Sequence, residues 1–481
     1  MRMTRRIWLI GAGSFITGAL LGESIFGASH HKRHARGRRK LRRRAVRGAR
    51  VRNAAHVSDA GPLSGAKLFE DVITYYNLGE HRTATEADIK TSQWLAEQLR
   101  VVGLATTFQS FSLRQFFVQQ ASLTIGSRRI RAFPLWFPCA TEKGPVNASL
   151  ALFDKNNTRA MSEEIALVKF PFDPRATVTA TRTDGIDSAV KTKEAIEAGR
   201  VGSTHSEVIN AAAKAGARAV VAITEGPTGE IIALNSPEGA QPWPIPVALA
   251  GPRDEPALMA AARSGFAASL LIDGVDRREA SAKNVIGRVH RGKELIVVST
   301  PQSGWFRCAA ERGPGIALFL GLARWASRRP SGSSFLFVST SGHELGGLGV
   351  KAFLKELAPS PDRVLCWLHL GAGIAAYAWE ETATGWKRLR EPDSRRSLMT
   401  SPDLVPILTS SFADLPELTP TVGRAVGEFE FISKAGYRTF GIAAAHRFHH
   451  TPADSPEMTG PEILEPIGSA LVRTIETIES R

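Results

Sequence analysis

The sequence predicts an α/β protein with a mostly parallel, doubly covered sheet and a smaller α/β segment inserted into it. Three observations carry that expectation. From Asn284 onward, short apolar runs alternate with helical stretches, the pattern of a parallel sheet covered on both faces. Between about residues 128 and 282 the runs are shorter and the helix between them, "EVINAAAKAGA", is made of small residues. Ahead of both, "HRTATEADIKTSQWLAEQLRVVGL" (His81 to Leu104) places Ile89, Trp94, Leu95 and Leu99 at near-helical spacing.

Taken in order, the His81–Leu104 stretch reads as one amphipathic helix, with Thr85 as its cap before Glu86 and Gly103 as its end. The strands "SLALF", "IALVKF", "AVVAIT", "IPVALA" and "FAASLLI" then mark the inserted segment. "NVIGRV" from Asn284 and "ELIVVST" open the next region. A helix from Gly315 to Arg328, "SFLFVST", a helix after Gly349, "VLCWLHLG", "RTFGIAA" and a last helix from Pro461 complete it. In sheets of this type ligands bind beyond the carboxyl ends of strands, and the polar residues of interest follow those ends. The expected organisation is a signal-like segment at 1–29, a basic arm at 30–60, a main domain at 61–127 and 283–481, and an insert at 128–282.

With 481 residues, 43% of them apolar, the chain can bury a large core. Its net charge of +15 is concentrated at one end: residues 1–52 carry 15 Lys/Arg against Glu23 alone, and the remainder is close to neutral. A near-neutral body argues against nucleic acid as its partner. Cys139, Cys308 and Cys366 lie far apart, form no CxxC, and read as small buried hydrophobes. The opening "MRMTRRIWLIGAGSFITGALLG" sets Arg5-Arg6 ahead of an apolar run and resembles a twin-arginine export signal, which would make the protein periplasmic, extracellular or membrane-anchored. Twelve Lys/Arg follow that run against three before it, which by the positive-inside rule holds the body at the cytoplasmic face of the membrane; both locations stay open. The basic arm, lacking apolar periodicity, reads as a solvated segment suited to contact with a membrane surface.

Several phrases, "HRTATEADIKTSQWLAEQLRVVGL", "KNVIGRV", "FLFVSTSGHELGGLG" and "FHHTPADSPE", together with "NAAAKAGARAVVAI" in the insert, are similar to those of zinc aminopeptidases of the M28 type carrying a protease-associated domain. The resemblance spans nearly everything from about residue 62 and implies a zinc-exopeptidase-like fold. In that family two zinc ions share a bridging carboxylate, with a Glu as general base. The first family ligand, a His, matches Pro301, which has no ligand atom. The bridging Asp matches Glu311, whose carboxylate reaches about 1.5 Å further. The Glu-Glu pair matches His343-Glu344, so the resemblance implies Glu344 as a ligand and His343 in the place of the base. The late Asp and the last His match His369 and His450. The resemblance thus implies a single zinc ion held by Glu311, Glu344 and His450, with His369 a fourth ligand or a donor behind them.

Plainer readings stand beside these. His343 reads equally as a neutral residue bonded at a helix start, and Glu311 as a charge favouring the dipole of the helix that follows. His446 and His449 read as packing or supporting residues, Asp454 as a cap before the last helix, and Glu428 as a group behind the ligands. The thermolysin-type pattern is absent, since Gly347 stands where its second His would be. The functional expectation is a metal-dependent hydrolase of peptide or related amide bonds. Its alternative is a catalytically inactive protein that binds a peptide or protein partner on the same fold.

Overall fold

The computed structural model describes residues 61–156, 160–170 and 200–481. The signal-like segment and the basic arm lie outside the described residues. Strands β1 (Ala105–Ile125), β2 (Arg128–Ile130), β3 (Phe133–Pro134), β4 (Val146–Leu152), β5 (Ile165–Phe170), β6 (Ala219–Thr224), β7 (Val247–Ala250) and β8 (Ala267–Val289) come first. They are followed by β9 (Leu295–Pro301), β10 (Ser334–Thr340), β11 (Val364–Leu370), β12 (Tyr377–Thr382), β13 (Gly385–Pro392), β14 (Ser397–Thr400), β15 (Pro420–Val422) and β16 (Thr439–Ala443). Apart from the β12–β13 hairpin they join one sheet, in the order β15-β14-β16-β11-β9-β10-β8-β4-β5-β6-β7-β3, with β1 along β8 and β2 along β1. The run β10-β9-β11-β16 is parallel, and so is β4-β5-β6-β7.

Alternation along the central strands shows why the sheet needs cover on both faces. Ile296, Val298, Phe335, Phe337, Cys366 and Leu368 point into one core, formed with helices α1 (Gly65–Asn77), α5 (Gly313–Arg328) and α9 (Pro461–Glu479). Val297, Leu336, Val338 and Trp367 point into another, under α6 (Leu348–Glu356) and α8 (Glu428–Lys434). Helix α2 (Glu86–Val101) packs on β8 and β1. Helices α3 (Ser203–Lys214) and α4 (Glu255–Arg263) accompany β4–β7, and α7 (Val405–Ser411) lies beside α9. The buried ion pair Asp71–Arg324, with bonds of 2.6 and 2.9 Å, ties α1 to α5. Among the described residues no helix is long and apolar enough to cross a membrane.

Three details differ from the sequence reading. "FAASLLI" and "NVIGRV", assigned above to an insert and to the main domain, are the two ends of one strand, β8, so residue 282 falls inside a strand. The polar stretch between them, Val275 to Lys283, contains no Gly, Pro or Asn to turn the chain, and it continues as an exposed ribbon with β1. The strands of the inserted segment accordingly extend the main sheet through the β4–β8 pairing. Finally, Thr85 occupies the cap position of α2, but its hydroxyl donates to the Arg82 carbonyl at 2.6 Å instead of capping the helix.

Candidate metal centre

The chain places its polar residues beyond the carboxyl ends of the parallel strands β9, β10, β11 and β16. After β10, Gly342 adopts a left-handed conformation (φ 85°) and a single 3-10 turn, His343–Leu345, follows. Four residues beyond it, Gly349 packs so closely that a Cβ would lie 2.2 Å from the Ser341 carbonyl oxygen. This compact turn sends its two polar side chains in different directions. The Glu344 carboxylate accepts from the Thr83 N–H and hydroxyl, both at 2.7 Å, and from the Ser303 hydroxyl at 2.7 Å. His343 instead lies with its Nδ1 3.2 Å from Glu428 Oε1, while Glu428 Oε2 accepts from Thr340 at 2.7 Å.

The loop before α5 supplies Glu311 and Arg312, each with a side chain only 1% exposed. Asp454 fixes this loop by accepting from the backbone N–H groups of Ala310 (2.8 Å) and Glu311 (3.0 Å). The loop after β16 supplies His449 and His450, whose rings stack with centroids 4.1 Å apart. His450 has φ 58°, a left-handed conformation that a side chain disfavours and that is held by its neighbours. Its Nδ1–H donates to the Ala233 carbonyl at 2.9 Å and its own carbonyl accepts from the Ala233 N–H, leaving Nε2 3.6 Å from Glu311 Oε1.

Ligand atoms of Glu311, His449 and His450 all lie within 4.8 Å of one another. Of the residues named from the sequence, the structure therefore brings Glu311 and His450 together. His449 completes the group in place of Glu344, whose carboxylate is occupied by Thr83 and Ser303. His369 does not join it either: its Nδ1 lies 2.9 Å from the Ser299 hydroxyl. Pro301 ends β9 opposite Thr340. Sequence reasoning left aside His449, Arg312 and the anchoring role of Asp454. The adjacent pair His449-His450 was the one signal available for the first of these.

The protonation states suit metal ligation, although the Arg312 guanidinium already lies beside the Glu311 carboxylate. Burial pushes the Glu311 carboxyl up, but Arg312, His450, His446 and His343 outweigh it and leave its pKa below the ordinary value. Burial holds His450 below the usual imidazole value, and His343 and His449 well below it, so all three are neutral, the form that binds metals. Glu311 Oε2 and His449 Nδ1 are buried without a hydrogen-bond partner, and Glu311 Oε1, which also has no hydrogen bond, forms an ion pair with Arg312 Nη2 at 3.0 Å. Unpartnered acceptors of this kind, two imidazoles and a carboxylate, fit a zinc ion.

No protein-family model and no curated protein matches the sequence. Solved structures do match the fold. The zinc aminopeptidase BSAP from Bacillus subtilis superposes with a TM-score of 0.64 at 18% identity, over 86% of this chain and 95% of that one. The chain has the fold of the M28 zinc aminopeptidases. A peptidase M28 precursor from Shewanella amazonensis gives 0.65 at 17% identity (87% and 93% covered). An aminopeptidase from an Aneurinibacillus strain gives 0.57 at 14% (86% and 94%).

Proposed function

We propose that the protein is an M28-like metal-dependent hydrolase of peptide or related amide bonds, working with a single zinc ion held by Glu311, His449 and His450. The observation that carries this reading is the convergence of Glu311, His449 and His450 within 4.8 Å, with Glu311 Oε2 and His449 Nδ1 buried and without hydrogen bonds. Neighbours of the same fold include a zinc aminopeptidase and a further aminopeptidase, which supports the choice of metal and of reaction. When bound, zinc would polarise the scissile carbonyl and acidify a water molecule. The chain's own part is to orient and to move protons. Glu428 and Ala233 fix the rings of His343 and His450 through their Nδ1 atoms. His343 is then left with a neutral Nε2 to take a proton from water. Glu344 holds the turn that carries His343 against Thr83 and Ser303. Export through the Arg5-Arg6 segment belongs to the same proposal.

Metal analysis of the full chain tests it. About one zinc per chain is expected, falling sharply in His450→Ala and in His449→Ala and persisting in Glu344→Gln. His343→Ala should retain zinc and slow hydrolysis of an aminoacyl anilide by roughly 10² to 10⁴, the usual contribution of a positioned base. One observation favours a second reading, a binding protein without catalysis: Arg312 already balances the charge of Glu311. A zinc-free protein that neither binds added zinc nor is stabilised by it establishes that reading instead.

A further inference from the structure

Arg312 lies beside the candidate metal group, and no step described above uses it. Its guanidinium has five N–H donors in a rigid fork and accepts nothing. Nε donates to the Ser303 carbonyl at 2.9 Å, and Nη2 lies 3.0 Å from Glu311 Oε1. Nη1 is buried with no partner. The charged and titratable groups influenced by it are Tyr75, Cys308, Glu311, His343, His369, Glu428, His449 and His450. Of the two carboxylates among them, Glu311 already faces Nη2, and Glu428 is taken up by Thr340 and His343. Among the described residues no carboxylate is left for Nη1, which as a pure donor needs an acceptor to complete it. The guanidinium is also tethered at Ser303, whose hydroxyl is engaged by Glu344 and by the backbone of Gly342 and His343.

We propose that Arg312 is the anion anchor of this site, with Nη1 binding a negatively charged oxygen of the ligand next to the zinc held by Glu311, His449 and His450. The proposal rests on the single-zinc reading. With one zinc, one guanidinium and one carboxylate, the group carries a net positive charge and selects an anionic oxygen, such as a carboxylate or the oxyanion of an amide under attack. His343, with 14% of its side chain exposed, and the half-buried His449 mark the wetter side from which such a group enters. Calorimetric titration of the zinc-loaded full chain with inorganic phosphate tests it, with zinc content measured on every sample. The wild type should bind one phosphate per chain. Arg312→Met should keep its zinc and lose at least tenfold in phosphate affinity. Arg312→Lys, which keeps the buried charge and so guards against loss of folding, should fall between the two. Equal phosphate affinity in zinc-loaded wild type and both variants, or no phosphate binding by zinc-loaded wild type, overturns the anchor. Loss of zinc from the variants alone shows that Arg312 acts by presenting Glu311 to the ion, which also overturns it. Failure of the wild type to load zinc overturns the single-zinc reading, and this proposal with it.

Discussion

Replacing Asp454 by Ala should damage the protein more than its distance from any substrate suggests. Its carboxylate is 2% exposed and accepts two backbone N–H groups, from Ala310 at 2.8 Å and Glu311 at 3.0 Å. Hydrogen bonds to a charged group contribute roughly 1.5 to 3 kcal/mol each, and their loss leaves two buried donors unpaired. The expected destabilisation is therefore about 3 to 5 kcal/mol, allowing for some relief by water entering the space left behind. Asp454→Asn, which keeps one acceptor and turns an amide N–H toward the other donor, should cost about half as much. Urea unfolding followed by tryptophan fluorescence reads this as a fall in midpoint at constant slope. Because the same bonds set the backbone of Glu311, zinc affinity should fall by about 10- to 100-fold, as for other residues that orient a metal ligand. An Asp454→Ala protein within 1 kcal/mol of wild type by the same measurement would refute the reasoning.

Other expectations follow from groups elsewhere. Asp71→Asn breaks the buried pair with Arg324 and leaves a guanidinium underpaired between α1 and α5, so unfolding should show a loss of about 3 to 5 kcal/mol. His81 stacks on Tyr75 at 3.8 Å and burial lowers its pKa to about 3. Between pH 6.5 and 3 the unfolded chain takes up a proton that the folded one refuses, so stability falls as pH drops through that window, by up to about 1.4 kcal/mol per pH unit. His81→Phe should flatten that slope, and an unchanged slope in acid unfolding curves would assign it to other groups. Replacing Arg5 and Arg6 by Lys should retain the protein inside the cell if the twin-arginine reading holds, and fractionation reads the outcome directly.

The strand and helix alternation that made the fold legible reflects local physics. Runs such as "ELIVVST" and "SFLFVST" are continuous and apolar because both faces are covered, and they form β9 and β10 as written. The insert was harder to place, because nothing in its composition says that "FAASLLI" and "NVIGRV" belong to one strand. That depends on β1, whose residue Ala105 pairs with Arg288, 183 positions away, pairing along nearly the whole length of β8. That Glu311 and His450 lie close together was legible from residue type and position. That His449, and not Glu344, lies beside them was not, because side-chain direction in a tight turn follows backbone angles. The left-handed Gly342 turns Glu344 toward Thr83, and the left-handed His450 leaves its ring stacked on His449. Arg312 was passed over because a basic residue at a helix start normally opposes the dipole and faces water, whereas here it is buried against Glu311.

The β1–β8 ribbon also has a mechanical consequence. One end of β8 is sewn to β4 and the other to β10, while β1 pairs along nearly its whole other edge across two register shifts, at Leu113/Gln115 and Val118/Gln120. A continuous strand of this kind ties the two parts of the sheet together, and each register shift bends it and increases its twist locally. The segment beyond β6 is hydrogen-bonded to the loops that carry His450 and Glu344, through Ala233 and Ser236. Any movement of that segment away from the candidate site must therefore break both of these contacts.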